Sequence, residues 1–458
     1  MRYLVGLILV LALIAGGVLM YAGKLPGPSI QITQPVKYVG QTGTVDVAIT
    51  APKGKLADFS VVFEQNGKQT TLVAMNQPGA GSVKAEGPET LRVTRTFTRT
   101  DIPDLKSGPA RIIVTAVRPV LYNIRKTTTV AAHDVQVRLE RPQVAVISSK
   151  HYINLGGSEM VVYRATPADV ESGVMVGDLK YPGYPASGAR LEGVHIADPA
   201  VKVAFIALRY DQDVNTPMYA YARDEAGNAA RADFDRLTFP KPFKKSRIEL
   251  NDAFLDRVVP QILETTTEVN PQGSTLDKFL VLNGELRRKN AEKIASYAAQ
   301  SSPELLWGGA VFHPFTNTAV EAAFADQRTY VYAGKDVDRQ THLGFDLARV
   351  VNSPIVAANR GKVVHAAPLG IYGNCVILDH GMGVQSLYAH LSSIAVKPGD
   401  LVEKEQELGK SGMTGLAGGD HLHFTMLVNG QMVNPVEWWD AHWIQDRIVR
   451  KLREASGS

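Results

Sequence analysis

Cysteine is nearly missing from this chain: Cys375 is the only one in 458 residues. An intramolecular disulfide framework and a Cys-cluster zinc site are both excluded, so any metal site must draw on His, Asp or Glu. A lone cysteine also suits an oxidising compartment, where it has nothing to mispair with. Charge of one sign is scarce as well. Forty-nine basic residues against 45 acidic ones leave a formal charge of +4, too small an excess to point to nucleic acid. Long apolar runs are absent apart from the first. At 45% apolar and 21% charged, the rest of the chain can bury ordinary cores and is not a disordered sequence.

The one long apolar run is residues 3–22, YLVGLILVLALIAGGVLMYA, with no charge in it. As a helix it would measure about 30 Å, enough for a bilayer core. Arg2 precedes it, so the short end is expected in the cytoplasm. The expectation is an uncleaved single-pass anchor over 1–24 with everything after Lys24 exported, to the periplasm or outer face. A cleaved signal peptide and a buried core helix are the alternatives; Met20 and Ala22 make a poor cleavage signal.

After Leu25-Pro-Gly-Pro28 the pattern is strand-like. Runs at 44–50, 60–65, 90–98 and 110–117 are alternating or β-branched, with Gly, Pro and Asp clusters between them. The style repeats at 143–149, 159–166, 201–209 and 218–232. Two β-sandwiches are expected, over 25–140 and 141–240; the stretch from Ala220 to Ala230 resembles a strand-turn-strand of bacterial immunoglobulin-like domains. A basic hinge at 241–247 opens a helical linker segment, 241–305, with helical spacing at 250–259 and 284–300. Pro260 and Pro271 are expected to interrupt it. From about Phe324 to Pro435 the sequence is Gly- and β-rich, and a further domain is expected over 306–440. In the tail, 441–458, Ile448 and Leu452 fall near one helical face with Trp439 and Trp443, among basic residues, and that face is expected to pack on the preceding domain. All four Trp lie beyond residue 306.

Seven of the eleven histidines fall between 342 and 442. His342-Leu-Gly-Phe-Asp346 sets an imidazole and a carboxylate four residues apart. In HLHFTMLV, starting at His421, strand alternation gives one face of His421, His423, Thr425 and Leu427 and a second that is wholly apolar. The apolar face belongs in a core, which aims both rings into one cleft. His390 follows a hairpin turn at 379–383 that can bring it beside that strand. A catalytic zinc takes three protein ligands and keeps a position for water. His342, Asp346 and His423 supply three, and His390 and His421 remain for proton transfer. Each pair alone is weak evidence; their joint presence within about a hundred residues favours a metal site over structural histidines. His365 and His380 fit no ligand spacing and read as structural or loop residues.

With these motifs on the page, the stretch from Phe324 to Pro435 resembles the M23 (LytM/lysostaphin-type) zinc metallopeptidases. His342-Leu-Gly-Phe-Asp346 matches the family's HxGxD, Leu387-Tyr-Ala-His390-Leu its central hairpin, and His421-Leu-His423-Phe its HxH. The resemblance implies a small antiparallel β-fold and one zinc ion on His342, Asp346 and His423. It implies a catalytic pair, His390 and His421, one acting on water and the other on the developing oxyanion. Glu405 stands where the family usually has Gly, and Asp420, next to His421, is expected to alter that ring's pKa or the substrate preference. The implied substrate is the peptide cross-links or stem peptides of bacterial peptidoglycan, with the β-domains as spacers or docking modules for a protein partner. A non-catalytic activator of another wall hydrolase, or a peptidase for a substrate outside the wall, are the alternatives.

Overall fold

The computed structural model describes residues 2–22, 25–52, 56–77, 81–120 and 125–457. They are mainly β with a few helices, and they separate into two compact units, 1–142 with 223–229, and 143–222 with 230–458.

In the first unit the apolar run forms one helix, Arg2–Ala22. Side chains at 2, 4, 5, 19 and 22 lie outside the described residues, so the uninterrupted described stretch is 6–18. Among the described residues no helix is long and apolar enough to cross a membrane. Beyond it, the alternating runs form two sheets. One orders Ser29–Gln34, Thr42–Thr50, Thr90–Thr98 and Ser82–Ala85; the other orders Tyr38–Val39, Arg125–Val137, Gly108–Val120, Asp58–Gln65 and Lys68–Ala74. Their inner faces share one core, in which Phe63 meets Phe97 at 5.7 Å between ring centroids. Strand alternation explains this: Val45, Val47 and Ile49 point inward while their neighbours do not.

In the second unit the strands Ser158–Thr166 and Val201–Ala207 pair antiparallel. Val201–Ala207 is buried at every position, Lys202 included, because both of its faces are covered. Part of its cover comes from the far end of the chain. Phe205 lies 6.1 Å from Trp438, and the Asn429 amide donates to the Phe205 carbonyl at 3.0 Å. One apolar core therefore runs from these strands through the helices into the last sheet.

Two local expectations are overturned. The basic stretch expected as a hinge contributes the strand Lys245–Leu250, which pairs in parallel with Asp326–Tyr332. The helix Asp252–Thr265, capped by Asn251, runs straight through Pro260. A capping box on Ser274 and Asp277 starts Thr275–Val281, which continues through a π turn, Leu282–Leu286, into Arg287–Ser296.

The eight-stranded sheet that carries the histidines runs in the order Ala319–Ala322, Phe345–Ala348, Leu422–Val428, Val384–Leu391, Asn374–Gly381, Gly361–Pro368, Leu401–Val402, with Gln431–Val433 added on Leu422–Val428. One face packs on the tryptophans; Phe424 stacks on Trp439 at 6.1 Å. Expected on the cleft side with His423, Thr425 and Leu427 are instead fully buried. The helical segment covers that side, where Gln385 donates to the Tyr297 carbonyl at 3.0 Å, and only its end at His421 and His423 reaches a cavity. The tail packs back on Ser158–Thr166. Its Lys451, one of the basic residues around the apolar face, is buried in an ion pair with Glu159 at 2.8 Å.

Candidate metal centre

Strand pairing alone brings two of the candidate ligands together, because Asp346 sits opposite His423 in the register of Phe345–Ala348 and Leu422–Val428. His342 ends the strand Lys335–His342, two residues before a glycine that the geometry requires. A Cβ on Gly344 would lie 2.5 Å from His423 Nε2, so any larger residue would push the ring off the site.

Three donor atoms converge. His342 Nε2 lies 2.9 Å from Asp346 Oδ1 and 3.0 Å from His423 Nδ1, and His423 Nδ1 lies 3.0 Å from Asp346 Oδ1. Ligands at zinc-like bond lengths in a tetrahedron stand about 3.3 Å apart, close to this spacing. His342 donates from Nδ1 to the Ala323 carbonyl at 3.2 Å, which leaves a lone pair on Nε2 facing a carboxylate oxygen and a second imidazole. A cation is what relieves such a confrontation, and this set can hold a metal. The other carboxylate oxygen, Asp346 Oδ2, accepts from Arg328 at 3.1 Å, and Arg328 also leans on Asp326, which Ser246 holds at 2.8 Å.

His390 and His421 flank this set. By alternation His390 belongs on the same side as Tyr388, away from His423. A bulge intervenes: Ala389 and His390 together face the single residue Cys375, and His390 adopts φ +64°. Bulges of this kind re-aim a side chain. The ring ends 4.9 Å from that of His421 and 5.7 Å from that of His423. His390 donates from Nδ1 to the Thr414 carbonyl at 2.7 Å, and His421 from Nδ1 to Gly419 at 2.8 Å. Both therefore offer Nε2 to the cavity.

Burial acts to raise the Asp346 pKa, but the imidazoles of His342, His421 and His423 outweigh it and hold the carboxylate well below its usual range. Burial pushes His423 down to about 4. It also pushes His390 well below the usual imidazole range, helped by the neighbouring rings. For His421 burial is overcome by Asp346, and its pKa rises. Asp420, expected to act on His421, turns elsewhere: it accepts from Ser411 at 2.6 Å and from the Asn352 backbone at 3.2 Å. Glu405, at the position where glycine was expected, has φ +69°. Both histidines read as structural are so placed. His380 is buried between the Arg360 carbonyl and Ser386, and His365 bonds Tyr297 and Ala367.

Sequence reasoning missed Arg328 and Asp326. A signal was available: Ala333 and Gly334, both at positive φ, make a tight hairpin turn, and the hairpin's register sets Asp326 opposite His342.

Residues 340–435 match Peptidase family M23. The DD-carboxypeptidase/endopeptidase Mpg of Neisseria meningitidis is 40% identical over 95 residues, 21% of this chain and 22% of that protein. The peptidoglycan DD-endopeptidase ShyA of Vibrio cholerae is 38% identical over 96 residues, again 21% and 22%. The chain thus spans about a fifth of the length of these curated relatives. Among solved structures, the catalytic domain of lysostaphin from Staphylococcus simulans is 28% identical, covering 27% of this chain and 92% of that one with a TM-score of 0.23.

Proposed function

On the premise that residues 340–435 form a domain of Peptidase family M23, we propose that this protein is a membrane-anchored, exported zinc endopeptidase that cuts peptide cross-links or stem peptides of bacterial peptidoglycan. The observation that carries the reading is the convergence of His342 Nε2, Asp346 Oδ1 and His423 Nδ1 within 3.0 Å of one another, with two further imidazoles beside them. The peptidoglycan endopeptidases among its relatives support the substrate. The uncharged run at 3–22 supports the anchor, and with it a cytoplasmic-membrane location with the bulk of the chain exported.

Zinc, when bound, polarises the scissile carbonyl and acidifies a water. The protein's own groups do the rest. Arg328 and the Ala323 carbonyl orient the Asp346 carboxylate and the His342 ring. His390 and His421, each locked in the tautomer that turns Nε2 inward, divide the proton work: one accepts from the attacking water, the other donates toward the oxyanion. Burial of the cavity floor keeps these contacts strong. The β-region at 25–140 serves as a spacer or as a docking module for a protein partner.

The test is incubation of the purified protein with isolated peptidoglycan, with and without chelator, followed by mass analysis of what is released. Metal-dependent release of peptide fragments is expected. Intact wall material after incubation with metal-loaded protein would overturn the reading.

A further inference from the structure

The cavity above the donor atoms, about 130 Å³, does not end there; Arg287, Ala291, Thr341, Leu343 and Met432 are shared with a second cavity of about 380 Å³. One wall of both comes from the helix Arg287–Ser296, which lies outside the stretch that matches the peptidase family. This wall therefore comes from outside the matched stretch, and its chemistry is basic where the two cavities meet.

Arg287 is held by a specific device. The π turn Leu282–Leu286 sends the Arg287 backbone N–H to the carbonyls of Leu282 and Gly284. The Asn283 carbonyl, which an α-helix would have paired with that N–H, accepts the guanidinium Nε at 3.0 Å instead, and Asn283 Oδ1 accepts Nη2 at 2.5 Å. Asn283 is itself buried and tied to Asp338 at 2.8 Å. The guanidinium is fixed on one edge, and three of its five donors remain.

The other arginines that line these cavities have acidic partners: Arg209 has Asp211, Arg288 has Glu292, and Arg328 has Asp346 and Asp326. Among the described residues Arg287 bonds to Asn283 and has no carboxylate in salt-bridge range. A half-buried, pre-oriented guanidinium that lacks a counter-ion favours a planar anion with matching bidentate geometry.

We propose that Arg287 is the specificity-determining residue of an anionic subsite, where it takes a free carboxylate of the peptide substrate. This deepens the peptidoglycan reading and rests on it for the identity of the ligand. Stem peptides carry free carboxylates beside the bonds to be cut, and amidation of those groups removes the charge without changing the backbone.

The experiment is calorimetric titration of the metal-loaded full chain with a peptidoglycan stem tetrapeptide, once with free carboxylates and once amidated. This probe lacks a cross-link and reports binding rather than turnover. The wild-type protein is expected to bind the acid at least 10-fold more tightly than the amide. Arg287→Gln should bring the ratio to near one, and Arg287→Lys should keep part of it. Metal content and melting temperature, measured alongside, separate a misfolded variant from a specific one; if Arg287→Gln does not fold, the Arg287→Lys ratio decides, and an unchanged ratio there overturns the proposal. Equal binding of acid and amide by the wild type, no binding of either, or an unchanged ratio in folded Arg287→Gln would also overturn it. Release of peptides from intact wall is scored separately. Release with an unchanged acid-to-amide ratio removes the subsite alone, and an Arg287-dependent ratio without release removes the peptidase reading alone.

Discussion

The ring of His390 sits 4.9 Å from that of His421, although strand alternation would turn it to the opposite face of the sheet. The bulge opposite Cys375 and the left-handed backbone at His390 bring it there. Neither ring is within the set of three donors, so metal content and turnover should separate. His390→Ala and His421→Ala should each keep most of the metal and lose about 10²–10⁴ in kcat, the range of a general acid or base. Metal analysis beside a turnover assay checks this. Full turnover in either variant removes that residue from the proton work.

His423→Ala should behave differently, losing metal and activity together, because its Nδ1 is one of the three converging donors. Stability should follow, since a ligand bound only by the folded state stabilises it by about 4 kcal/mol at a thousandfold excess over Kd. Chelation should therefore lower the melting temperature of the wild type and leave His423→Ala unmoved. Equal shifts in both would mean that metal is held elsewhere.

Arg328 touches Asp346 Oδ2, the carboxylate oxygen turned away from the other donors. Removing it frees the carboxylate to rotate. Arg328→Met is expected to weaken metal binding about 10–100-fold, as for other partners of a ligand, and chelator competition measures it. An unchanged affinity would show that the strand pairing of Asp346 with His423 fixes the carboxylate unaided.

The pairing of His342 with Asp346 was legible because HxGxD sets them four positions apart; His423 lies 77 positions from Asp346 and meets it through strand pairing, which HxH only hints at. The direction of His390 was not legible, since it depends on a bulge that only the paired strand creates. Thr425 and Leu427 were read onto an open face because alternation says which residues share a side and is silent on what covers it; the helices of 252–300 do. Pro260 was read as a break, yet it lies in a helix whose buried residues, Leu255, Val258, Val259 and Ile262, hold it in place through packing. Arg287 reaches the cavity through the packing of its helix, which no spacing in the sequence records; for Arg328 the hairpin at Ala333 and Gly334 was the signal.

His151 gives a pH prediction away from the metal centre. Burial, with Lys451 and Arg447 nearby, pushes its pKa down to about 4, against about 6.5 unfolded. Between these values the unfolded chain binds more protons than the folded one, so stability falls as pH falls through that window and is complete above it. The full contribution is about 3 kcal/mol. His151→Gln should flatten the fall in melting temperature between pH 6.5 and 4 relative to wild type. A parallel curve would place the pH dependence on other groups.

Lys451 and Glu159 close a buried contact between the tail and the strand Ser158–Thr166, with Lys451 also donating to the Met160 carbonyl at 2.9 Å. Beside it Glu437 accepts from Asn154 and Ser158, and Trp438 donates to Ser158 at 3.1 Å. The second β-region is thus bonded to the residues that follow the histidine-bearing sheet, and the two should not be separable. Lys451→Met leaves the Glu159 carboxyl, whose pKa burial already raises, without its partner in the core, which costs about 3–5 kcal/mol whether it stays charged or takes up a proton. Replacing both, as Lys451→Met with Glu159→Leu, removes the stranded carboxyl and should recover much of that loss. Denaturant unfolding of the wild type, Lys451→Met, Glu159→Leu and the double variant gives the coupling directly. If the single variant unfolds like wild type, the pair is not buried in solution and the tail is free of the β-region. If the single variant is crippled and the double variant is not, the contact holds the β-region and the histidine-bearing sheet as one folding unit. A fragment beginning near residue 306 should then fail to fold, because it leaves Glu437, Trp438 and Lys451 without the partners that bury them.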